Sequence, residues 1–372
     1  MIEGTPQAAK SSNRPILSVQ DLKVSYPVKH GFFGRTSAYV HAVDGVSLSI
    51  GSGETLGLVG ESGCGKTTLG RSIARIVDPT SGSITYGSAE GPVDLTAASA
   101  QELRRYQREI RVIFQDPFSS LNPRKTLLQI VGDPLRAYGL ATGSDLRDKV
   151  KDMLSRVGLS PKYIDRYPHA FSGGERQRVN IARALIVKPR LVIADEPVSA
   201  LDVSVRAQIL NLLQDLQEEL GLTYLFISHD LSVVESVCDQ VAVMYLGRIV
   251  ERADTADLYR GPRHPYTEAL LSAVPVPDPR LRDSAKRIRI SDDLPDPTAP
   301  PPGCSFHTRC RYAVEGRCDV AGQEPELATT APGHRAACHR TDELTLASPL
   351  QPRPSTAPEN HEPPAPLNDE ES

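Results

Sequence analysis

An α/β fold on a largely parallel sheet is predicted for this 372-residue chain by three observations. Strand-like and helix-like runs alternate from Ile16 to about residue 260, the pattern of strands joined by crossover helices. Residues 60–67, Gly-Glu-Ser-Gly-Cys-Gly-Lys-Thr, place glycines, a lysine and a hydroxyl in phosphate-cradling order, between an apolar run at 55–59 and helical spacing at 68–75. Further on, Leu191-Val-Ile-Ala-Asp195-Glu196 is an apolar run that ends in two carboxylates.

Taken in order, residues 1–15 are polar and aperiodic and predict a disordered arm. The glycine-rich loop follows the first clear strand. Gly60, Gly63 and Gly65 let the backbone turn so that successive N–H groups point at phosphate oxygens, with Ser62, Cys64 and Thr68 completing the nucleotide-contacting candidates. Lys66 supplies a point charge, and Thr67 can hold magnesium. Residues 116–187 carry helical patterns such as Leu146 to Val157 and no convincing strand, so they read as a helical insertion. Within it, Phe171-Ser-Gly-Gly-Glu-Arg-Gln-Arg178 runs into a helix and offers the Ser172 hydroxyl and the bare amides of Gly173 and Gly174 to a phosphate. Leu191–Ala194, Thr223–Ser228 and Gln240–Tyr245 read as buried strands, and Val205–Leu220 as a helix stopped by Gly221. Prolines 275, 277, 279, 295, 297 and 300–302 mark a linker, and the acidic, proline-rich stretch 342–372 predicts disorder.

The chemistry rests on pairing the phosphate loop with the late carboxylates. Asp195, at a strand end, suits magnesium, while Glu196 can orient an attacking water and accept its proton. The net charge of −4 recommends no nucleic acid partner, and the basic run 104–111 reads as a solvated helix face. No apolar stretch approaches the roughly 18 residues of a membrane span and the first twenty residues lack a signal pattern, so a soluble cytosolic chain is expected. Six cysteines in such a chain are not a disulfide framework. Cys304, Cys310, Cys318 and Cys338 crowd near the C-terminus in a proline-rich segment with little apolar content, which suggests a metal as the source of its folding energy. Zinc or a 4Fe-4S cluster would fit four thiolates; His307, His334 and His339 read as surface histidines.

Phosphate loop, Ser-Gly-Gly helix start and Asp195-Glu196, in this order and spacing, resemble the nucleotide-binding subunits of ABC transporters. Three further stretches narrow the resemblance to oligopeptide and dipeptide importers: the insertion at 27–35, Phe114-Gln-Asp-Pro-Phe-Ser-Ser-Leu-Asn-Pro123, and Pro302-Gly-Cys-Ser-Phe-His-Thr-Arg-Cys310. It covers about residues 16–340 and departs at Phe171 and Glu175, where leucine and glutamine are usual. The resemblance implies a P-loop NTPase (ABC ATPase) domain over 16–282 with a helical subdomain at about 116–187, then a cysteine-rich metal-binding segment at 283–341. It implies Glu196, His229 and Gln115 as catalytic, magnesium held by Thr67, Gln115 and Asp195, Tyr26 stacked on adenine, and Asp202 of Ser199-Ala-Leu-Asp202 as the D-loop contact. For the four cysteines it favours 4Fe-4S over zinc. It also implies a head-to-tail dimer with a paralogous ATPase or with itself, two permease subunits, a solute-binding protein, and a peripheral place on the cytoplasmic membrane face. Rival readings are an importer for nickel or another small solute, a soluble ABC-type ATPase, and a metal-dependent redox or sensor protein with ATP as regulator.

Overall fold

Strict alternation of apolar side chains between two faces organises the molecule. The computed structural model describes residues 15–30, 35–116, 120–274, 288–291, 294–346 and 348. The expected arm up to residue 14, residues 31–34 of the insertion, 117–119, prolines 275, 277 and 279, and most of the tail lie outside the described residues.

Two sheets carry the fold. β1 (Leu17–His30) and β2 (Arg35–Ile50) form a long antiparallel ribbon, β3 (Thr55–Val59) precedes the glycine-rich loop, and helix α1 (Lys66–Ile73) follows it. β4 (Ser81–Ser88) and β5 (Gly91–Asp94) complete a four-stranded antiparallel sheet in the order β2-β1-β4-β5. After α2 (Ala100–Glu109) and β6 (Ile110–Ile113), the chain turns helical: α3 (Leu127–Ala137), α4 (Gly143–Arg156) and α5 (Gly173–Leu185) pack on one another. β7 (Leu191–Asp195), α6 (Val203–Leu220), β8 (Thr223–Ser228), α7 (Leu231–Val237) and β9 (Gln240–Tyr245) then alternate as expected. β10 (Arg248–Asp254), α8 (Thr255–Arg260), α9 (Pro265–Ser272), β11 (Ala328–Ala331) and β12 (His334–Ala336) close the chain.

The large sheet runs β11-β12-β10-β9-β3-β8-β7-β6, and only its five strands from β9 to β6 are parallel to one another. Central strands buried on both faces need apolar residues throughout, which explains why β7 and β8 are legible as apolar runs. Leu191, Ile193, Leu225 and Ile227 face α1 and the antiparallel sheet, while Val192, Ala194, Tyr224 and Phe226 face the helical layer. The antiparallel additions are less visible in sequence because their strands are half exposed and mixed in composition.

Helix ends follow local chemistry. α6 begins at Val203, two residues earlier than its apolar spacing indicates, because the Asp202 carboxylate accepts the Val205 amide at 3.0 Å and caps it. It ends as expected at Gly221, whose φ of 62° is left-handed.

The cysteine-rich segment is not an appendage. β12 joins the large sheet through β10, pairing Ala336 with Glu251, and Phe306 and Cys304 lie in the same apolar cluster as the helical layer. His334 locks this junction: its Nε2 is 2.6 Å from the fully buried Glu251 carboxylate, which also accepts the amides of Arg263 and His264. His334, read from sequence as a surface group, is therefore buried, since its ring supplies the polar partner that a carboxylate inside the protein requires.

Candidate nucleotide site

The glycine-rich loop sits at the C-terminal end of parallel β3, where strand ends and helix starts open a crevice. Two of its glycines are sterically required. A Cβ on Gly60 would lie 2.1 Å from the Met244 carbonyl oxygen, and one on Gly65 would lie 1.9 Å from that of Ala42; both have positive φ, 152° and 107°. Gly63, φ 82°, has no neighbour within 4 Å of such an atom, so its role is conformational. The Lys66 ammonium, almost wholly buried, folds back on the loop and donates to the carbonyls of Gly60 at 2.7 Å and Glu61 at 2.8 Å. Ser62, Cys64 and Thr68 lie on the loop and the first turn of α1 as expected.

Across the crevice, the Thr67 hydroxyl donates to Asp195 Oδ1 at 3.0 Å. Asp195 is 2% exposed, and burial pushes its carboxyl above the usual range against the opposing pulls of Thr67 and Arg71. A hydroxyl and a buried carboxylate side by side are the hard oxygen donors that magnesium takes, so Thr67 and Asp195 fit the ion. When bound, it would offset the phosphate charge that develops on bond cleavage.

Glu196 follows at once, with φ at 46° turning the chain off the strand. Its two carboxylate oxygens have separate partners. Gln115 Nε2 donates to Oε2 at 3.0 Å, and His229 Nδ1 lies 3.0 Å from Oε1. An ionised carboxylate only accepts, so His229 carries its proton on Nδ1 and leaves Nε2 as the free edge of the ring. The Ser199 hydroxyl ties the next turn to the Glu196 carbonyl at 3.2 Å. Gln115, Glu196 and His229, far apart in sequence, are thus one hydrogen-bonded cluster beside Asp195.

Ser172, Gly173 and Gly174 open α5 as expected. Their surroundings add a residue that the sequence reading treated only as a departure: Glu175 accepts from the Ser172 amide and hydroxyl, both at 2.9 Å, while its own amide donates back to the hydroxyl. The Ser-x-x-Glu spacing is the signal of this reciprocal cap. A Cβ on Gly174 would meet Val205 Cγ1 at 2.5 Å, so this helix start packs against the start of α6 that Asp202 caps. Asp202 spends its carboxylate on that cap, whose amides and the Ser204 hydroxyl hold it below the usual range. Tyr26 stands on β1 opposite Val40, 41% exposed and free to stack on a planar ring.

One expectation fails. Among the described residues, no group of three or more His, Cys, Asp and Glu side chains is arranged to hold a metal ion, which overturns the iron–sulfur cluster at Cys304, Cys310, Cys318 and Cys338, and zinc with it. The four cysteines line one small, mainly apolar cavity. Burial pushes the Cys304 thiol up to about 12 and Cys310 to about 11, and raises Cys338 as well. Phe306, Cys304 and the β12 pairing supply the apolar and backbone contacts that the segment's composition seemed to lack.

Comparison with known proteins agrees with this geometry. An ABC transporter family model matches residues 43–199, and a model of the oligopeptide/dipeptide transporter C-terminal region matches residues 250–318. The oligopeptide transport ATP-binding protein AppF of Bacillus subtilis (strain 168) is 51% identical over 332 residues, covering 88% of this chain and 98% of that protein. The dipeptide transport ATP-binding protein DppF of Escherichia coli (strain K12) is 49% identical, covering 89% and 96%. Among solved structures, the dimeric post-hydrolysis state of the ATP-binding cassette MJ0796 bound to ADP and Pi is similar, with a TM-score of 0.57, 28% identity and coverage of 64% of this chain and 98% of that one. Phosphate loop, Ser-Gly-Gly helix start and Asp195-Glu196 all fall inside the first matched region, and the chain belongs to the ABC transporter family, among the ATP-hydrolysing, ATP-binding subunits of its oligopeptide and dipeptide transporters.

Proposed function

We propose that this chain hydrolyses ATP to drive import of dipeptides or oligopeptides. The observation that carries the reading is Glu196 suspended between Gln115 and His229, one residue beyond the Thr67–Asp195 pair, in a chain half identical to peptide-transport ATP-binding proteins. In this reading Lys66 leaves the loop carbonyls for the β- and γ-phosphates, and Gly60, Ser62, Gly63, Cys64, Gly65 and Thr68 line the phosphates. Tyr26 stacks on adenine. Thr67, Asp195 and Gln115 hold magnesium. Glu196 orients the attacking water and takes its proton, while the free Nε2 edge of His229 faces the γ-phosphate.

Ser172, Gly173 and Gly174, with Asp202 beside them, complete the site of a second ATPase, paralogous or identical, in a head-to-tail pair; the dimeric cassette similar to this chain supports that arrangement. The ATPase pair docks on two permease subunits fed by a solute-binding protein. A groove of about 530 Å³ lined by Arg71, Arg111, Phe114, Gln115 and Arg183 offers a permease segment a path to the glutamine that touches Glu196. None of the described helices is long and apolar enough to cross a membrane, in keeping with peripheral attachment at the cytoplasmic face. The nucleotide-binding unit extends to about residue 282, with 283–341 as a C-terminal unit whose strand β12 pairs with β10 of the large sheet. Affinity purification of the tagged chain from detergent-solubilised membranes tests the proposal. Permease subunits should co-elute, and ATPase of the complex should rise with peptide-loaded binding protein; a chain that elutes alone, or ATPase indifferent to peptide, argues against it.

A further inference from the structure

Glu61, second residue of the phosphate loop, is held on three sides. Its amide donates to the Tyr266 hydroxyl at 2.8 Å, its carbonyl accepts from Lys66 at 2.8 Å and from the Cys64 amide at 3.3 Å, and its carboxylate takes both arms of one guanidinium. That guanidinium belongs to Arg309: Nη1 reaches Oε2 at 2.8 Å and Nη2 reaches Oε1 at 3.0 Å. The pair is protected from solvent, with side-chain exposures of 5% for Arg309 and 25% for Glu61. Arg309 is itself fixed. Its Nε donates to the Ser291 carbonyl at 2.9 Å, and it stands in the short turn His307–Arg309 between Cys304 and Cys310. Beneath it, Tyr245, Tyr266 and Phe306 pack in tilted and edge-to-face contacts with ring centroids 4.7 to 5.3 Å apart. The C-terminal segment therefore reaches across the fold to grip the loop that cradles phosphate.

We infer that Arg309 is a positioning residue for ATP binding, fixing Glu61 so that the phosphate loop stays in its receptive shape. The reasoning rests on the nucleotide reading of that loop. When ATP draws the Lys66 ammonium away, the Glu61 carbonyl keeps only the longer Cys64 contact, and the bidentate fork joins the Tyr266 hydroxyl in holding the residue. A planar guanidinium suits this task because its paired donors fix orientation as well as distance. Arg309 also neutralises a carboxylate that would otherwise stand unpaired beside a polyanion's binding loop. Both effects act on nucleotide binding and neither changes the groups at Glu196. The consequence belongs to KM, with kcat spared.

The test compares ATP affinity of the full chain, and KM and kcat of the assembled ATPase, for Arg309→Ala, Arg309→Lys, Glu61→Gln and the double variant Arg309→Ala with Glu61→Gln. Arg309→Ala is expected to weaken Mg-ATP binding about tenfold, within the range of coupled pairs, and to leave kcat at saturating ATP within about twofold. Arg309→Lys should recover part of the affinity by restoring the charge without the fork. The double variant should regain part of the affinity lost in Arg309→Ala, because the unpaired carboxylate is gone; a residue that only tethers the C-terminal segment would not be rescued by a change in the loop. Unchanged affinity in Arg309→Ala, or losses that multiply in the double variant, would overturn the inference. Lys66→Ala serves as the control: if it too binds ATP normally, the nucleotide assignment itself falls and the inference with it, a failure distinct from loss of binding in Lys66→Ala beside an unshifted Arg309→Ala.

Discussion

Replacing Glu196 by glutamine alters one proton acceptor and little else, which makes the cost of hydrolysis calculable from the cluster. Gln115 Nε2 can keep donating at 3.0 Å to the remaining amide oxygen, and the new amide group can donate to His229 Nδ1 once the ring moves its proton to Nε2. Size, position and neighbours survive, and Thr67, Asp195 and Lys66 are untouched, so ATP and magnesium should bind as before. What is lost is the base. A positioned general base contributes about 10²–10⁴ in rate, equivalent to about 2.7–5.4 kcal/mol of barrier. The assay is phosphate release by the assembled transporter under saturating Mg-ATP, with nucleotide binding measured in parallel. Turnover should fall by that factor while bound ATP is retained in a closed pair of ATPases. Turnover within a few-fold of the unmodified transporter, with binding intact, would refute Glu196 as the base.

Ser172→Arg should abolish hydrolysis at the partner ATPase's phosphate loop while ATP binding at Lys66 of the isolated chain persists, as read by nucleotide titration; loss of binding in the isolated chain would speak against a shared site. His264, fully buried, caps α9 by accepting the Tyr266 amide on Nδ1 at 3.1 Å, and burial pulls its pKa down to about 3 despite a backbone contact at Ala337 that opposes the fall. The unfolded chain takes up this proton near pH 6.5 and the folded chain does not, so the stabilisation is complete above about 6.5 and declines by at most about 1.4 kcal/mol per pH unit as pH falls towards 3. Chemical denaturation at pH 7.5 and 5 should therefore show a shallower decline for His264→Asn, which keeps a capping acceptor and removes the titration; parallel declines would contradict the neutral buried ring.

What was legible in the sequence is local. Gly60 to Thr67 declare themselves because the close approach of the Met244 and Ala42 carbonyls admits only glycine at Gly60 and Gly65, and Asp195-Glu196 because a strand buried on both faces leaves its first polar residues at its exit. Gln115 and His229 are named only through the family resemblance, since no spacing rule joins residues on three separate strand ends, and their meeting at Glu196 is visible only in the fold. Arg309 and Glu61, 248 residues apart, left no trace in the sequence. Two long-range facts also decided the cysteine segment. The pairing of β12 with β10 and the burial of Phe306 against Tyr245 and Tyr266 supply cohesion that composition alone had assigned to a metal. The Glu175 cap, by contrast, is local and carries its own signal in the Ser-x-x-Glu spacing of residues 172–175.

Coupling between ATP hydrolysis at Glu196 and peptide movement is tested most directly by peptide accumulation in proteoliposomes holding the assembled transporter, with ATP supplied on the side of this chain and peptide-loaded binding protein on the other. Accumulation should require Mg-ATP, should be accompanied by phosphate release, and should stop in complexes carrying Glu196→Gln even though they still bind ATP. Peptide accumulating at the same rate without ATP, or undiminished in the Glu196→Gln complex, would contradict the proposal that this chain supplies the energy for import.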